Sequence, residues 1–321
     1  FFFFFFEKDF LNMRRTALLE NVSPFGKLLF LLGTIILMGI VSAIIGFGAG
    51  ALLFDASMSD LSGFIQSPKG AKAVGFLKIY QIINQVGIFI LPAMFFSYFV
   101  STNSVTYLSL ERMPKLISIL VAAIIIYAIL PFNGYMDELN RNMSLPDFMH
   151  SIEQWMLTKE KQAKMLTEAF LTTSTLTGLF VNLIIVAVLP AIGEEMIFRG
   201  ILLKLFNQMF KNIHIAVLVS SIIFSTIHLQ FYGFLPRLIL GMMLGYMFVF
   251  TGNLWVPIGA HFVNNASSAV IFYLHSNDYI NIPMDDFGTT TNVAYVIGSL
   301  LISLWLMTII YQREGTGRTS I

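Results

Sequence analysis

Long apolar runs leave this chain little choice of fold. Eight stretches of about 20 largely apolar residues, the length that crosses a hydrocarbon core as a helix, can be marked along it. They run from Lys27 to Phe54, Val74 to Val100, Pro114 to Phe132, Leu171 into the segment around Glu194, Ile213 to Phe231, Leu235 to Phe250, Trp255 to Leu274 and Val293 to Tyr311. Lipid offers no hydrogen bonds to a bare backbone, so such segments must be helical. With 56% hydrophobic and only 12% charged residues, the chain lies well outside the make-up of a soluble domain. The sequence therefore predicts an all-α, polytopic membrane protein with about eight transmembrane helices.

Between the third and fourth runs lies a polar segment, Asn133 to Phe170. Its Phe148, Ile152, Trp155, Met156, Ala163, Leu166 and Phe170 recur near helical spacing, which predicts one amphipathic helix lying on the membrane or on the protein. Ser144 followed by Asp147 resembles a capping signal for its start. No repeat, linker or shift in composition marks a second domain, so we read residues 27–311 as one membrane domain, with tails at 1–26 and 312–321. The opening run Phe1 to Phe6 fits neither a signal peptide nor a span. Arg14, Arg15, Lys27, Arg112, Lys115, Lys204, Lys211, Arg313 and Arg318 fall on one set of flanks, and Asp278, Asp285 and Asp286 on an opposite one. That bias predicts both termini on the cytoplasmic side; Lys69, Lys72 and Lys78 run against it.

Several function classes drop out on composition. A net charge of +1 gives no field for nucleic acid, and the absence of cysteine removes thiol nucleophiles, disulfides and iron–sulfur ligation. Gly46, Gly48 and Gly50 lack the Lys and Ser/Thr of a phosphate loop and fit close helix packing better.

Ionisable residues at bilayer depth cost at least ~2.5 kcal/mol each on insertion scales, so their placement is informative. Glu194, Glu195 and Arg199 fall together in an apolar stretch just after Pro190 and Gly193. Glu195 and Arg199 stand at i and i+4 and can pair, each easing the other's burial. Glu194, turned ~100° away, is left for another partner. His228 lies late in the fifth run with Phe224 one turn before it, and His261 and Asn265 share a face of the seventh, Asn264 being a competing choice. At 1.5 Å per residue, Glu194 lies ~15 Å from Lys204, His228 ~21 Å from His214 and His261 ~9 Å from Trp255. Under the orientation above, these heads can converge in one cavity.

Such a set can hydrolyse a peptide bond. A carboxylate (Glu194) beside an imidazole (His228) can take a proton from water and aim it at a carbonyl, while His261 and Asn265 can donate to the developing oxyanion. No cofactor is required for this. Glu194, His228 and His261 are also an acceptable zinc donor set with a position open for water. Neither His-Glu-x-x-His nor Gly-x-Ser-x-Gly occurs.

These residues resemble the motifs of the CPBP intramembrane protease family, which includes type II CAAX prenyl proteases and bacteriocin-processing and immunity relatives. Glu194, Glu195 and Arg199 look like its Glu-Glu-x-x-x-Arg, Phe224 and His228 like its Phe-x-x-x-His, and His261 and Asn265 like its His-x-x-x-Asn. The resemblance covers roughly residues 171–275. It implies a membrane-embedded endopeptidase in which the first Glu and the His after Phe activate water, and the last His and Asn stabilise the oxyanion. A membrane-associated protein or peptide is then the substrate; nothing implies that it is prenylated. The alternatives are a catalytically silent scaffold or immunity-type protein, and a proton-coupled transporter, which would predict internal repeats.

Overall fold

The computed structural model describes residues 16–282 and 287–314. Arg14, Arg15, Asp285, Asp286, Arg318 and the Phe1 to Phe6 run lie outside the described residues.

Helices account for nearly all regular structure, in the order α1 Pro24–Phe54, α2 Met58–Gln66, α3 Ala71–Val100, α4 Ser104–Tyr107, α5 Leu116–Ala128 and α6 Leu130–Arg141. There follow α7 His150–Leu171, α8 Leu176–Phe210, α9 Ile213–Thr226, α10 Phe234–Thr251, α11 Trp255–Ser276 and α12 Val293–Glu314. The protein is an all-helical integral membrane protein.

The structure does not bear out the count of eight spans. Among the described residues, five helices are long and apolar enough to cross a membrane, six if the pair α5 and α6, bent by 44°, counts as one. Pro131 sits in the first turn of α6, where its missing N–H breaks the ladder and produces the bend. The two other predicted spans fall short for different reasons. Helix α9 has 14 residues, or ~21 Å at 1.5 Å per residue, less than a bilayer core. Helix α11 has 22 residues but is diluted by His261, Asn264, Asn265, Ser267 and Ser268. Both are helices that carry the candidate chemistry.

The polar segment also divides differently. Asn133 to Arg141 belongs to α6, and only His150–Leu171 forms the amphipathic helix. Ser144 does not cap it: Asp147–Met149 makes a short 3₁₀ turn after Pro146, and Met149 precedes α7 without a side-chain cap. The apolar face of α7 packs on the protein, through Leu166 and Phe170 beside Phe76 and Leu77 and Trp155 at 5.2 Å from Phe231.

Helix α8 is the axis of the molecule. Its Ala191, Ile197, Phe198, Ile201 and Leu203 form one core with Phe96 of α3, Phe224 of α9 and Phe248 of α10. A second core joins Ile125, Leu244, Val256, Ala260 and Ile310 of α5, α10, α11 and α12. Helix α1 lies at the edge. Ser23 accepts from the Gly26 N–H and Pro24 opens its first turn, the arrangement that suits a helix start. Only 17% of its most apolar window is buried, and Leu29, Ile36, Leu37, Ile40 and Ile44 point outward, where lipid replaces protein as the apolar contact.

Helices α3 and α8 are each interrupted by π turns that precede a proline: Val86–Ile90 before Pro92 and Ile184–Val188 before Pro190. A proline cannot donate to the preceding turn, and the wider π turn accommodates that loss. The two helices cross where a Cβ on Gly193 would meet the Phe89 Cβ at 2.8 Å, so glycine is what permits the approach. The next residue is Glu194.

Candidate active site

The Glu-Glu-x-x-x-Arg motif begins in the α-helical turn Leu189–Ile197 and ends in a second π turn, Phe198–Leu202. Glu195 faces the protein interior. Its Oε1 accepts from Arg199 Nη1 at 2.7 Å and lies 2.9 Å from His261 Nδ1. Arg199 Nη2 donates to the Gly241 carbonyl at 2.8 Å, and its guanidinium carbon stands 4.8 Å above the Phe224 ring. Arg199 is 1% exposed and Glu195 0%. Burial is tolerable because each charge faces the other and the fork has a carbonyl and an aromatic face besides.

Glu194 points the other way, into a cavity of about 660 Å³ that His228, His261, Asn264, Asn265 and Gln85 also line. Its Oε2 is buried yet accepts no hydrogen bond, and lies 3.9 Å from His261 Nε2. That separation is too long for a direct bond, and a water touching both atoms sits beside the pair, in the adjoining cavity, rather than between them. The two imidazole nitrogens of His261 thus face the two adjacent carboxylates. A carboxylate paired with arginine is an acceptor only, so Nδ1 of His261 carries the proton. In the neutral ring Nε2 then presents a lone pair toward Glu194.

His228 is not inside a helix, contrary to the sequence expectation. Helix α9 ends at Thr226, and His228 sits in the turn beyond, before Leu229 at φ 52°. Its Nδ1 lies 2.8 Å from the Phe224 carbonyl, one of the orphan acceptors that any helix end must satisfy. That bond protonates Nδ1 and turns the Nε2 lone pair outward. Non-helical backbone at this depth is tolerated where it lines a cavity. Phe224 packs edge-on against both imidazoles, at 5.2 Å from His228 and 5.9 Å from His261.

Asn265 Nδ2 donates to the Val186 carbonyl at 3.0 Å, inside the first π turn of α8, and its Oδ1 accepts from Asn264 at 3.0 Å. Asn265 therefore ties α11 to the segment leading into Glu194 and keeps one amide hydrogen for a ligand. Among the described residues, no three His, Asp or Glu side chains group closely enough to hold a metal ion. Glu194, His228 and His261 do not form such a group, although each ring keeps an Nε2 lone pair while its Nδ1 is held by an acceptor. Gln81, Gln85, Asp137 and Arg237 also line the cavity, and sequence reasoning missed them. Gln81 and Gln85 stand at i and i+4 in an apolar helix, the pattern that exposed His261 and Asn265.

The geometry describes an intramembrane helical protein with a buried carboxylate and two imidazoles on the wall of one polar cavity. Over residues 176–267 the chain matches the model of a family described as type II CAAX prenyl endopeptidase Rce1-like. All three motifs fall inside that segment, and the match bears out the resemblance to the CPBP proteases. The chain is also similar to the uncharacterized protein YpbD of Bacillus subtilis (strain 168), 34% identical over 89 residues, which is 26% of this chain and 42% of that protein. The chain thus spans less than half the length of the curated relative it matches. No solved structure matches.

Proposed function

We propose that the protein is an intramembrane endopeptidase that hydrolyses peptide bonds of membrane-associated substrates by a metal-independent route. A water in the cavity donates one hydrogen to Glu194 Oε2 and the other to Nε2 of His228, and gives the first to Glu194 as its oxygen attacks the substrate carbonyl. The oxyanion that forms is met by the free amide hydrogen of Asn265 and by His261, which takes a proton from solvent at Nε2 before the attack and returns it after product release. The proton on Glu194 then passes to the amine leaving group as the C–N bond breaks. Glu195 holds the His261 tautomer, and Arg199 keeps Glu195 ionised. His228, with Nδ1 fixed by the Phe224 carbonyl, orients the water through Nε2.

The observation that carries this reading is Glu194 Oε2, a carboxylate oxygen in the cavity wall without a protein donor. A buried acceptor left open costs free energy unless something fills it, and water is what hydrolysis consumes. We further propose a bacterial cytoplasmic membrane with both termini inside, and substrates not restricted to prenylated chains. The test is cleavage of a membrane-tethered reporter peptide by purified protein: Glu194→Ala and His228→Ala should lose it while keeping the wild-type helical spectrum and elution profile. Unchanged cleavage in either variant overturns the assignment.

A further inference from the structure

Arg237 has no part in that chemistry, yet it lines the same cavity. It stands in the first turn of α10, and the loop before it includes Gly233. A Cβ at Gly233 would fall 2.2 Å from Arg237 Nη2, so the bare glycine leaves the space in which the guanidinium lies. Of the five N–H donors of an arginine, one is used, from Nη1 to the Gln230 carbonyl at 3.3 Å. Asp137 and Glu160 act on the guanidinium electrostatically, but neither forms an ion pair with it among the described residues. Asp137 is engaged by Arg141 at 2.7 Å. The two acids offset the cost of a cation in this apolar setting without occupying its fork. His228 lines the same cavity as Arg237.

We propose that Arg237 makes this part of the cavity wall a receptor for a substrate carboxylate, either an acidic side chain or a free C-terminus. A guanidinium with open, coplanar donors matches a carboxylate bidentately, and the pair is strongest where water is scarce. The remaining wall supplies the amides of Gln81, Gln85, Asn133 and Asn264, which suit the backbone of a bound peptide. This inference rests on the endopeptidase reading for its choice of a peptide ligand.

The test measures binding, so that it does not depend on turnover. Fluorescence anisotropy on full-length Glu194→Gln protein in detergent micelles would compare three labelled alanine–leucine decapeptides: one ending in a free carboxylate, its C-terminal amide, and that amide carrying one internal Glu. At least one acidic probe should bind roughly tenfold or more tighter than the neutral amide; which one does so distinguishes a C-terminus from a side chain. Arg237→Gln in the same background should abolish the difference and Arg237→Lys should retain part of it. Gly233→Ala, which displaces the guanidinium, should mimic Arg237→Gln even if the latter folds poorly. Equal affinities, no binding by either acidic probe, or an acid preference that survives both Arg237→Gln and Gly233→Ala overturns the proposal. Acid preference without cleavage by the wild-type protein would instead overturn the endopeptidase reading and leave this subsite standing.

Discussion

Glu194 and Glu195 are neighbours in one helix, and the protein treats them oppositely. Glu195 Oε1 is held by Arg199 and His261 at 2.7 and 2.9 Å while its Oε2, like Glu194 Oε2, has no hydrogen-bond partner; Glu194 alone lines the cavity, with Oε2 3.9 Å from His261 Nε2. The difference follows from the ~100° turn between successive helical residues. One residue faces the packed side against α9, α10 and α11, where an uncompensated charge would be ruinous. The other faces a cavity, where an open acceptor is an asset. In the proposed mechanism, stability is concentrated on one side of a single helical turn and reactivity on the other, with His261 beside both carboxylates.

The sharpest way to break that division is at Glu194. Glu194→Ala should lower the cleavage rate by about 10²–10⁴-fold, the usual contribution of a positioned base, with little change in thermal stability. A large fall in melting temperature would show that Glu194 supports the fold after all. Arg199→Ala should do the reverse. It strands the Glu195 carboxylate in the interior, a loss of about 3–5 kcal/mol, visible as poor accumulation or a clearly lowered melting temperature in detergent; a fully stable Arg199→Ala protein would contradict the supporting role. Gly193→Ala bears on both sides, since its Cβ would press on Phe89 at 2.8 Å. Overpacking of this kind costs about 1–3 kcal/mol, and the accompanying shift of α8 should reduce cleavage as well, measurable as a combined drop in melting temperature and rate. The smallest effect is the one expected from metal removal: exhaustive chelation should leave cleavage unchanged, and activity restored only by added zinc would refute the metal-independent route.

Much of this was legible before any coordinates. The apolar runs led to a helical membrane protein because lipid permits few alternatives, and Glu195 with Arg199 read as a pair from spacing alone. The tilted pair α5 and α6 and the short α9 were not legible. A hydropathy run registers composition, whereas a bend at Pro131 or a helix ending at Thr226 is decided by which backbone groups find partners. His228 shows the limit clearly, since its neighbours Ile222, Ile223 and Ile227 read as a continuous span although the chain has already left the helix.

By itself, the sequence determined that this chain lies in a membrane, that its few buried charges sit on three segments, and that Glu195 and Arg199 can share a helix face. These are properties of composition and of intervals along one helix, which need no knowledge of neighbouring helices. Only the tertiary structure decided that His261 lies beside both carboxylates, that His228 is held by the Phe224 carbonyl, and that Gln85, Asp137 and Arg237 share the cavity with Glu194. Those relations join residues far apart in the chain. They depend on helix crossings at close approaches such as Gly193 and on π turns that shift each face by part of a turn, quantities that no local periodicity contains.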